Sequence, residues 1–227
     1  MSVSVLIPFT SDDPARLRAR DHVAGWYRTL GWEVVGGACP PPWRKAVAVA
    51  AAAERSTGEI LVVADADCLC PGVAAAAAAV EGGVPWAIPH QLVHRLDEEA
   101  TRAVYGGATA ESTGGRTEAP YPGFPGGGIV VLARTTYVDV PLDPRFEGWG
   151  QEDESWAVAL TALHGPPWRG TDPLYHLHHP PPPDRRSRHV GSVASHELLN
   201  RYLRAARAGR PAMRALLDET VAAGAVR

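Results

Sequence analysis

Two runs, Val3-Ser-Val-Leu-Ile-Pro8 and Glu59-Ile-Leu-Val-Val-Ala64, are apolar almost throughout and only strand length. Each is too short for a core helix and lacks the alternation of a strand with one wet face, so each reads as a buried strand. Strands of this kind need helices over both faces of their sheet, and the segments between them supply those helices. Asp13-Pro14 offers an N-cap with proline at the first helical position, and Leu17, Val23, Ala24 and Leu30 recur at roughly helical spacing before Gly31. Trp32–Val35 is a second short strand, and Arg44–Thr57 is an alanine-rich helix that Gly58 stops. Pro71 opens another helix through Ala74–Ala79, and Val84–Ile88 makes a fourth strand. This alternation predicts an α/β fold with a mostly parallel sheet flanked by helices.

Beyond residue 89 the alternation stops. Gly106–Gly128 is rich in Gly, Pro, Ser and Thr and reads as a long loop, a class that is usually functional or disordered. Gly128–Ala133 is strand-like again, Asp153–Leu163 is helical, and His176-Leu-His178-His179 falls on a strand. Pro180–Pro183 stiffens a loop. Residues 193–223 form one or two amphipathic helices, with Leu198, Leu199, Tyr202, Leu203, Leu216 and Leu217 apolar. The expected organisation is one domain over 1–190, divided at residue 88, with helices over 191–227.

Composition closes off several functions. A chain of 227 residues, 45% hydrophobic, builds one compact domain. A net charge of −3 leaves no electrostatic footprint for nucleic acid. No apolar run approaches the ~20 residues that span a bilayer, and Met1–Thr10 lacks the basic start of a signal peptide. Three cysteines, Cys39, Cys68 and Cys70, are too few and too odd for a disulfide scaffold, which implies a reducing compartment. Lys45 is the one lysine among 22 basic residues; the arginine bias and the alanine run read as the mark of a GC-rich genome.

Four constellations bear chemistry. Asp65 and Asp67 directly follow a buried strand, where ligands of open α/β sheets sit. One can meet a sugar or ribose hydroxyl while the other coordinates Mg²⁺ or Mn²⁺ alongside substrate phosphates; the plainer alternative is a capped strand-end turn. Arg145-Phe-Glu-Gly-Trp-Gly-Gln-Glu-Asp-Glu154 crowds four acids into eight residues against mutual repulsion. Its glycines give Trp149 room beside a ligand, and a carboxylate at a helix start stays ionised, as a general base requires; an acid-decorated helix start is the alternative. His176, His178, His179 and His189 cluster within fourteen residues and can complete a metal shell begun by Asp67. Arg185-Arg186-Ser187-Arg188 reads as a solvated surface or as a basic loop over a diphosphate, and Arg16, Arg18 and Arg20 share that ambiguity.

Taken in order, these features resemble GT-A glycosyltransferases. The first half is similar to family 2 glycosyltransferases through Val3–Phe9, the helix Arg44–Ala53 and Gly58-Glu-Ile-Leu-Val-Val-Ala-Asp-Ala-Asp67. The second resembles the catalytic region of β-1,4-galactosyltransferases and polypeptide N-acetylgalactosaminyltransferases through Phe124-Pro-Gly-Gly-Gly128, Ile129–Ala133 and Phe146-Glu-Gly-Trp-Gly-Gln-Glu-Asp153. The resemblance implies a single GT-A, Rossmann-like domain, with 1–88 binding the nucleotide-sugar and 89–190 carrying acceptor and catalytic groups. It implies a metal-dependent transfer of a hexose (galactose, glucose or N-acetylhexosamine) from a UDP-sugar to an acceptor hydroxyl. Asp65 would contact the donor, with Pro8, Phe9 and Arg44 at its edge, and Asp67 would bind Mn²⁺ or Mg²⁺ together with His176 or, second, His178. Gly126 and Gly127 would line the donor sugar, Trp149 would touch sugar or acceptor, Glu152 would hold the sugars, and Asp153 would be the base of an inverting reaction. The sequence does not name the acceptor; a glycan, a protein and a modified base are the candidates. A soluble, cytoplasmic protein of a bacterium or phage is the expected setting.

The second strand ends in Gly36-Gly37, where relatives carry an acid that reads uracil or ribose. The rivals are a sugar- or nucleotide-binding module without catalysis and a sugar-phosphate nucleotidyltransferase. Pro8-Phe-Thr-Ser-Asp12 lacks the Gly-rich, basic signature expected of the latter.

Overall fold

The computed structural model describes residues 2–113, 121–122, 126–180 and 192–224. One mixed sheet carries the fold. Its strands are β1 (Val3–Pro8), β2 (Glu33–Gly37), β3 (Ile60–Ala64), β4 (Cys68–Leu69), β5 (Trp86–Arg95), β6 (Tyr121–Pro122), β7 (Ile129–Ala133) and β8 (Trp168–His176). The helices are α1 (Pro14–Thr29), α2 (Lys45–Arg55), α3 (Val73–Glu81), α4 (Glu98–Tyr105), α5 (Arg134–Asp139), α6 (Glu152–His164), α7 (Val193–Ala208) and α8 (Arg210–Gly224).

The sheet order is β2-β1-β3-β7-β5-β8-β4, with β6 on β5. As the alternation predicted, β2, β1 and β3 are parallel, and so are β5 and β8. Between them β7 runs antiparallel to both β3 and β5. That strand comes from the second half of the chain and enters the middle of the sheet from the opposite end.

Period-two alternation divides the buried strands between two cores. Val5, Ile7, Val62, Val131 and Ile129 face α1, α3 and α4. Leu6, Leu61, Val63, Val130 and Leu132 face α2, α5 and α6, where Leu198, Tyr202, Met213 and Leu217 of α7 and α8 complete the layer. Asp13 caps α1 as expected, accepting from the Arg16 amide at 3.0 Å. Gly37 answers the missing acid: a Cβ there would lie 1.9 Å from the Ala48 carbonyl oxygen, because α2 crosses at backbone contact.

Two elements extend past expectation. The fourth strand runs on to Arg95, and Asp97 caps the unforeseen helix α4, accepting from the Ala100 amide at 2.8 Å. The expected strand through His179 ends at His176. Phe124, Pro181–Pro183, the Arg185–Arg188 run and His189 lie outside the described residues.

Candidate active site at the carboxyl edge of the sheet

The end of β3, the start of α2 and the start of α6 converge on one side chain. Lys45 Nζ donates to Asp65 Oδ1 at 2.7 Å and to Asp153 Oδ1 and Oδ2 at 2.8 and 3.0 Å. Lys45 is buried, 6% exposed. Burial opposes its charge, but Asp153, Asp65 and Glu152 together hold the ammonium well above the usual lysine range. It therefore stays protonated.

The loop before α6 is built to turn sharply. Gly148 and Gly150 have φ of +80° and +103°, and Gln151, the N-cap of α6, sits in the left-handed region at +69° with no side-chain cap bond. A non-glycine residue there stores about 1 kcal/mol or more of strain, a cost found at functional sites. Glu152, Asp153 and Glu154 fill the first turn, where the helix dipole favours carboxylates. Burial nonetheless pushes Asp153 up to about 7; Lys45 opposes the rise while Glu152 and Asp65 add to it. Glu152 is raised by burial too. Three carboxylates thus face one ammonium, and the first proton returns to the Glu152–Asp153 pair near neutral pH.

A glycine turn holds this arrangement in register. The Asp65 amide donates to the Gly128 carbonyl at 2.8 Å, and a Cβ on Gly126, at φ +87°, would stand 2.2 Å from the Asp153 carbonyl oxygen. Gly126 is thereby wedged against the backbone of α6, and Gly127 beside it is half-buried. Gly126→Ala is expected to lower the unfolding free energy by about 2 kcal/mol in urea titration. An unchanged midpoint would mean that the turn is not a spacer.

On the other side of Asp65 lies a candidate metal centre. Asp67, His176 and His179 each offer one donor atom within 4.8 Å of the others. His179 Nε2 is 2.9 Å and His176 Nε2 3.8 Å from Asp67 Oδ2. Against the burial penalty, the two imidazoles hold the Asp67 carboxyl well below the usual carboxylate range. Burial lowers His176, which favours the neutral imidazole that ligates metal. The Leu177 amide donates to the Asp67 carbonyl at 2.8 Å, locking the two segments together. His178 is not brought in: its amide donates to Thr101 Oγ1 at 2.8 Å. On a continued strand His176 and His178 would share a face, but β8 ends at His176 and the chain brings His179 round instead. One carboxylate and two imidazoles fit an octahedral ion with open positions; the nitrogen ligands suit Mn²⁺ better than Mg²⁺, which takes oxygen.

The rim is aromatic and polar. Trp149, 53% exposed, stacks on Trp43 with centroids 5.9 Å apart, and the Arg16 guanidinium lies 5.9 Å from its ring. The Gly148 amide donates to the Trp43 carbonyl at 2.7 Å. Trp43 Nε1, Arg44 Nε, Glu152 Oε2 and Ser155 Oγ are buried atoms without hydrogen-bond partners among the described residues. Such orphans are rare in folded proteins and mark places where water or ligand completes the set. Pro8 ends β1 opposite Gly37, the Phe9 amide donates to the Gly37 carbonyl at 2.8 Å, and Arg20 lies over the Phe9 ring. Sequence reasoning missed Lys45, His179 as the second imidazole, and Trp43. The signal for Lys45 was available, since a chain that uses arginine everywhere else keeps a single lysine.

No family model matches the chain, and no curated protein matches it. Solved structures do. The chain is similar to glucosyl-3-phosphoglycerate synthase from Mycobacterium tuberculosis in complex with Mn²⁺, UDP-glucose and phosphoglyceric acid. The TM-score is 0.50 and the identity 14%, over 92% of this chain and 80% of that one. It is also similar to the catalytic domain of Drosophila β-1,4-galactosyltransferase 7 in complex with xylobiose. There the TM-score is 0.49 and the identity 14%, over 88% and 79% of the two chains. The mixed sheet flanked by helices is the GT-A fold. No helix among the described residues is long and apolar enough to cross a membrane.

Proposed function

We propose that this chain is a metal-dependent glycosyltransferase that moves a hexose from a UDP-sugar to an acceptor hydroxyl, inverting the anomeric carbon. The observation that carries this reading is the convergence, at one edge of the sheet, of the Asp67–His176–His179 triad and the Glu152–Asp153 pair, with Lys45 joining Asp153 to Asp65. A nucleotide-sugar needs a diphosphate-binding end and, a sugar ring away, a base. The fold is that of the M. tuberculosis synthase, whose crystals hold Mn²⁺ and UDP-glucose. The mixed donors and acceptors left open at Trp43, Arg44, Glu152 and Ser155 suit a ligand rich in hydroxyl groups, and the exposed Trp149 offers a platform for the apolar face of its ring.

In this mechanism Asp67, His176 and His179 hold a divalent cation, with Mn²⁺ favoured over Mg²⁺. Bound there, the ion supplies Lewis acidity for the departing diphosphate. Asp65 holds the donor sugar, and Glu152 fixes sugar hydroxyls through its open oxygen. Asp153 accepts the acceptor hydroxyl proton while that oxygen bonds to the anomeric carbon. The bond from that carbon to the diphosphate oxygen breaks, and its electron pair leaves with UDP. A base that ionises near 7 is matched to this task at neutral pH. Lys45 keeps Asp153 charged and aimed before the acceptor arrives.

The test is nucleotide release from a panel of UDP-, GDP- and ADP-sugars with Mn²⁺, Mg²⁺ or EDTA. Turnover of one UDP-hexose is expected, faster with Mn²⁺ than with Mg²⁺ and abolished by EDTA. His179→Ala should weaken Mn²⁺ binding at least ~10-fold. Silence across the panel, with no nucleotide raising the melting temperature, would overturn the reading in favour of another ligand.

A further inference from the structure

Helices α7 and α8 lie outside the resembling segments, yet they grip the chain just ahead of the Gly-Trp-Gly loop. Asp143, its side chain 3% exposed, accepts from the Tyr202 hydroxyl of α7 at 2.9 Å. It also accepts from the Arg145 amide at 2.8 Å and from Arg145 Nε and Nη2 at 3.0 and 2.8 Å. Arg145 reaches on to α8, where Nη1 donates to Glu219 Oε2 at 3.0 Å and Nη2 to the Leu216 carbonyl at 3.4 Å. Arg201 of α7 meets the same Glu219 at 2.6 Å. The buried Phe146 ring packs against the Tyr202 ring, with centroids 6.2 Å apart.

Glu152 follows Phe146 by six residues, and the backbone between them passes through positive φ at Gly148, Gly150 and Gln151. Glycines give up more freedom on ordering than any other residue, so this loop keeps one shape only if it is anchored. Asp143 anchors its upstream end. The Gly148 amide, donating to the Trp43 carbonyl at 2.7 Å, anchors the middle, two residues ahead of Lys45. Trp156, one turn past Asp153 in α6, donates Nε1 back to the Val140 carbonyl at 2.8 Å. The circuit closes where Lys45 Nζ donates to Asp153 at 2.8 Å. Stability alone does not call for the polar part of this arrangement. Leu198, Met213, Leu216 and Leu217 already seat both helices on the core, and apolar residues in place of a buried ion pair are often as stable or more so. What a satisfied polar cluster adds is one fixed geometry.

We propose that Tyr202 is a positioning residue for the reaction: through Asp143 and Arg145 it fixes the loop that presents Trp149, Glu152 and Asp153 to Lys45 and to the donor. The catalytic consequence rests on the function proposed above. The C-terminal helices thereby belong to the catalytic unit rather than to a separate extension.

The test compares two variants of the full chain. Tyr202→Phe keeps the ring against Phe146 and removes only the hydroxyl on Asp143. Leu198→Ala loosens the same helix in the core and leaves every partner of Asp143 in place. Amide hydrogen exchange over 146–153, Mn²⁺-dependent UDP binding, turnover of the UDP-hexose and the melting temperature are measured for each. Tyr202→Phe should speed exchange over 146–153 ~10-fold and cut turnover ~10-fold. Its UDP affinity should stay within ~2-fold of wild type, because the metal triad lies outside this circuit. Leu198→Ala should lower the melting temperature at least as far, with exchange over 146–153 and turnover near wild type. Wild-type exchange and turnover in Tyr202→Phe would overturn the positioning role. Equal losses in the two variants would assign Tyr202 to stability alone, which also overturns it. A wild-type chain that turns over no nucleotide-sugar would overturn the function proposed above instead. Exchange over 146–153 then decides the positioning role by itself, faster in Tyr202→Phe alone upholding it and any other result overturning it.

Discussion

Replacing Lys45 with methionine is expected to lower the unfolding free energy by about 3 kcal/mol at pH 8 and to cut turnover at least ~100-fold. The variant keeps the length of the side chain and removes only the ammonium, leaving Asp65, Glu152 and Asp153 facing one another. Removing one partner of a buried pair costs about 3–5 kcal/mol, and the partial exposure of both aspartates puts this case at the lower end. The sign with pH follows from the proton balance. Asp153 is already raised from 3.8 to about 7, and losing Lys45 raises it further. Between the unfolded and folded values the folded state binds more protons than the unfolded one, so stability falls as pH rises through that window. The deficit of Lys45→Met should therefore open as pH rises through about 7, be largest above it, and shrink below it, where Asp153 is protonated in both folded proteins. The acid limb of activity should move up by about one pH unit. Identical urea midpoints for both proteins at pH 5 and pH 8 would show that Lys45 does not neutralise this cluster.

Asp153→Asn is expected to reduce turnover ~10²–10⁴-fold while leaving Mn²⁺-dependent UDP binding nearly intact. Asparagine fills the same volume and can still meet Lys45, but it cannot take the acceptor proton. The wild-type acid limb near pH 7 should vanish from the residual rate, because the group that produces it is gone. A variant with full activity would remove Asp153 from the role of base. A parallel loss of UDP affinity would move the residue to donor binding instead.

Much of the fold was legible because its signals are local. The runs at Val3–Pro8 and Ile60–Ala64 carry their own β preference, and Asp13-Pro14 and Gly58 mark helix ends within a few residues. The acids after β3 and the Gly-Trp-Gly loop before α6 were readable for the same reason. What escaped depends on distant partners or on where an element stops. Lys45 and Asp153 are 108 residues apart, so no spacing rule connects them. His179 replaces His178 only because β8 ends three residues earlier. Helix α4 did carry a signal, with Asp97 as cap and Glu98 and Glu99 in its first turn. No element was expected between residue 89, where the alternation stops, and the Gly-rich stretch that begins at Gly106, so this short helix was passed over.

The central place of β7 bears on how the chain is made. Strands β1, β2 and β3 leave the ribosome first and can pair, yet β3 keeps one edge open until Ile129–Ala133 has been synthesised. At ~5–20 residues per second, that interval lasts several seconds. During it the nascent chain displays an uncovered apolar strand, the kind of edge that captures other chains. Premature termination anywhere between β3 and β7 would leave a sticky fragment rather than a small, well-behaved nucleotide-binding unit. Cutting the protein near residue 88 would do the same, because the two halves are interleaved in one sheet.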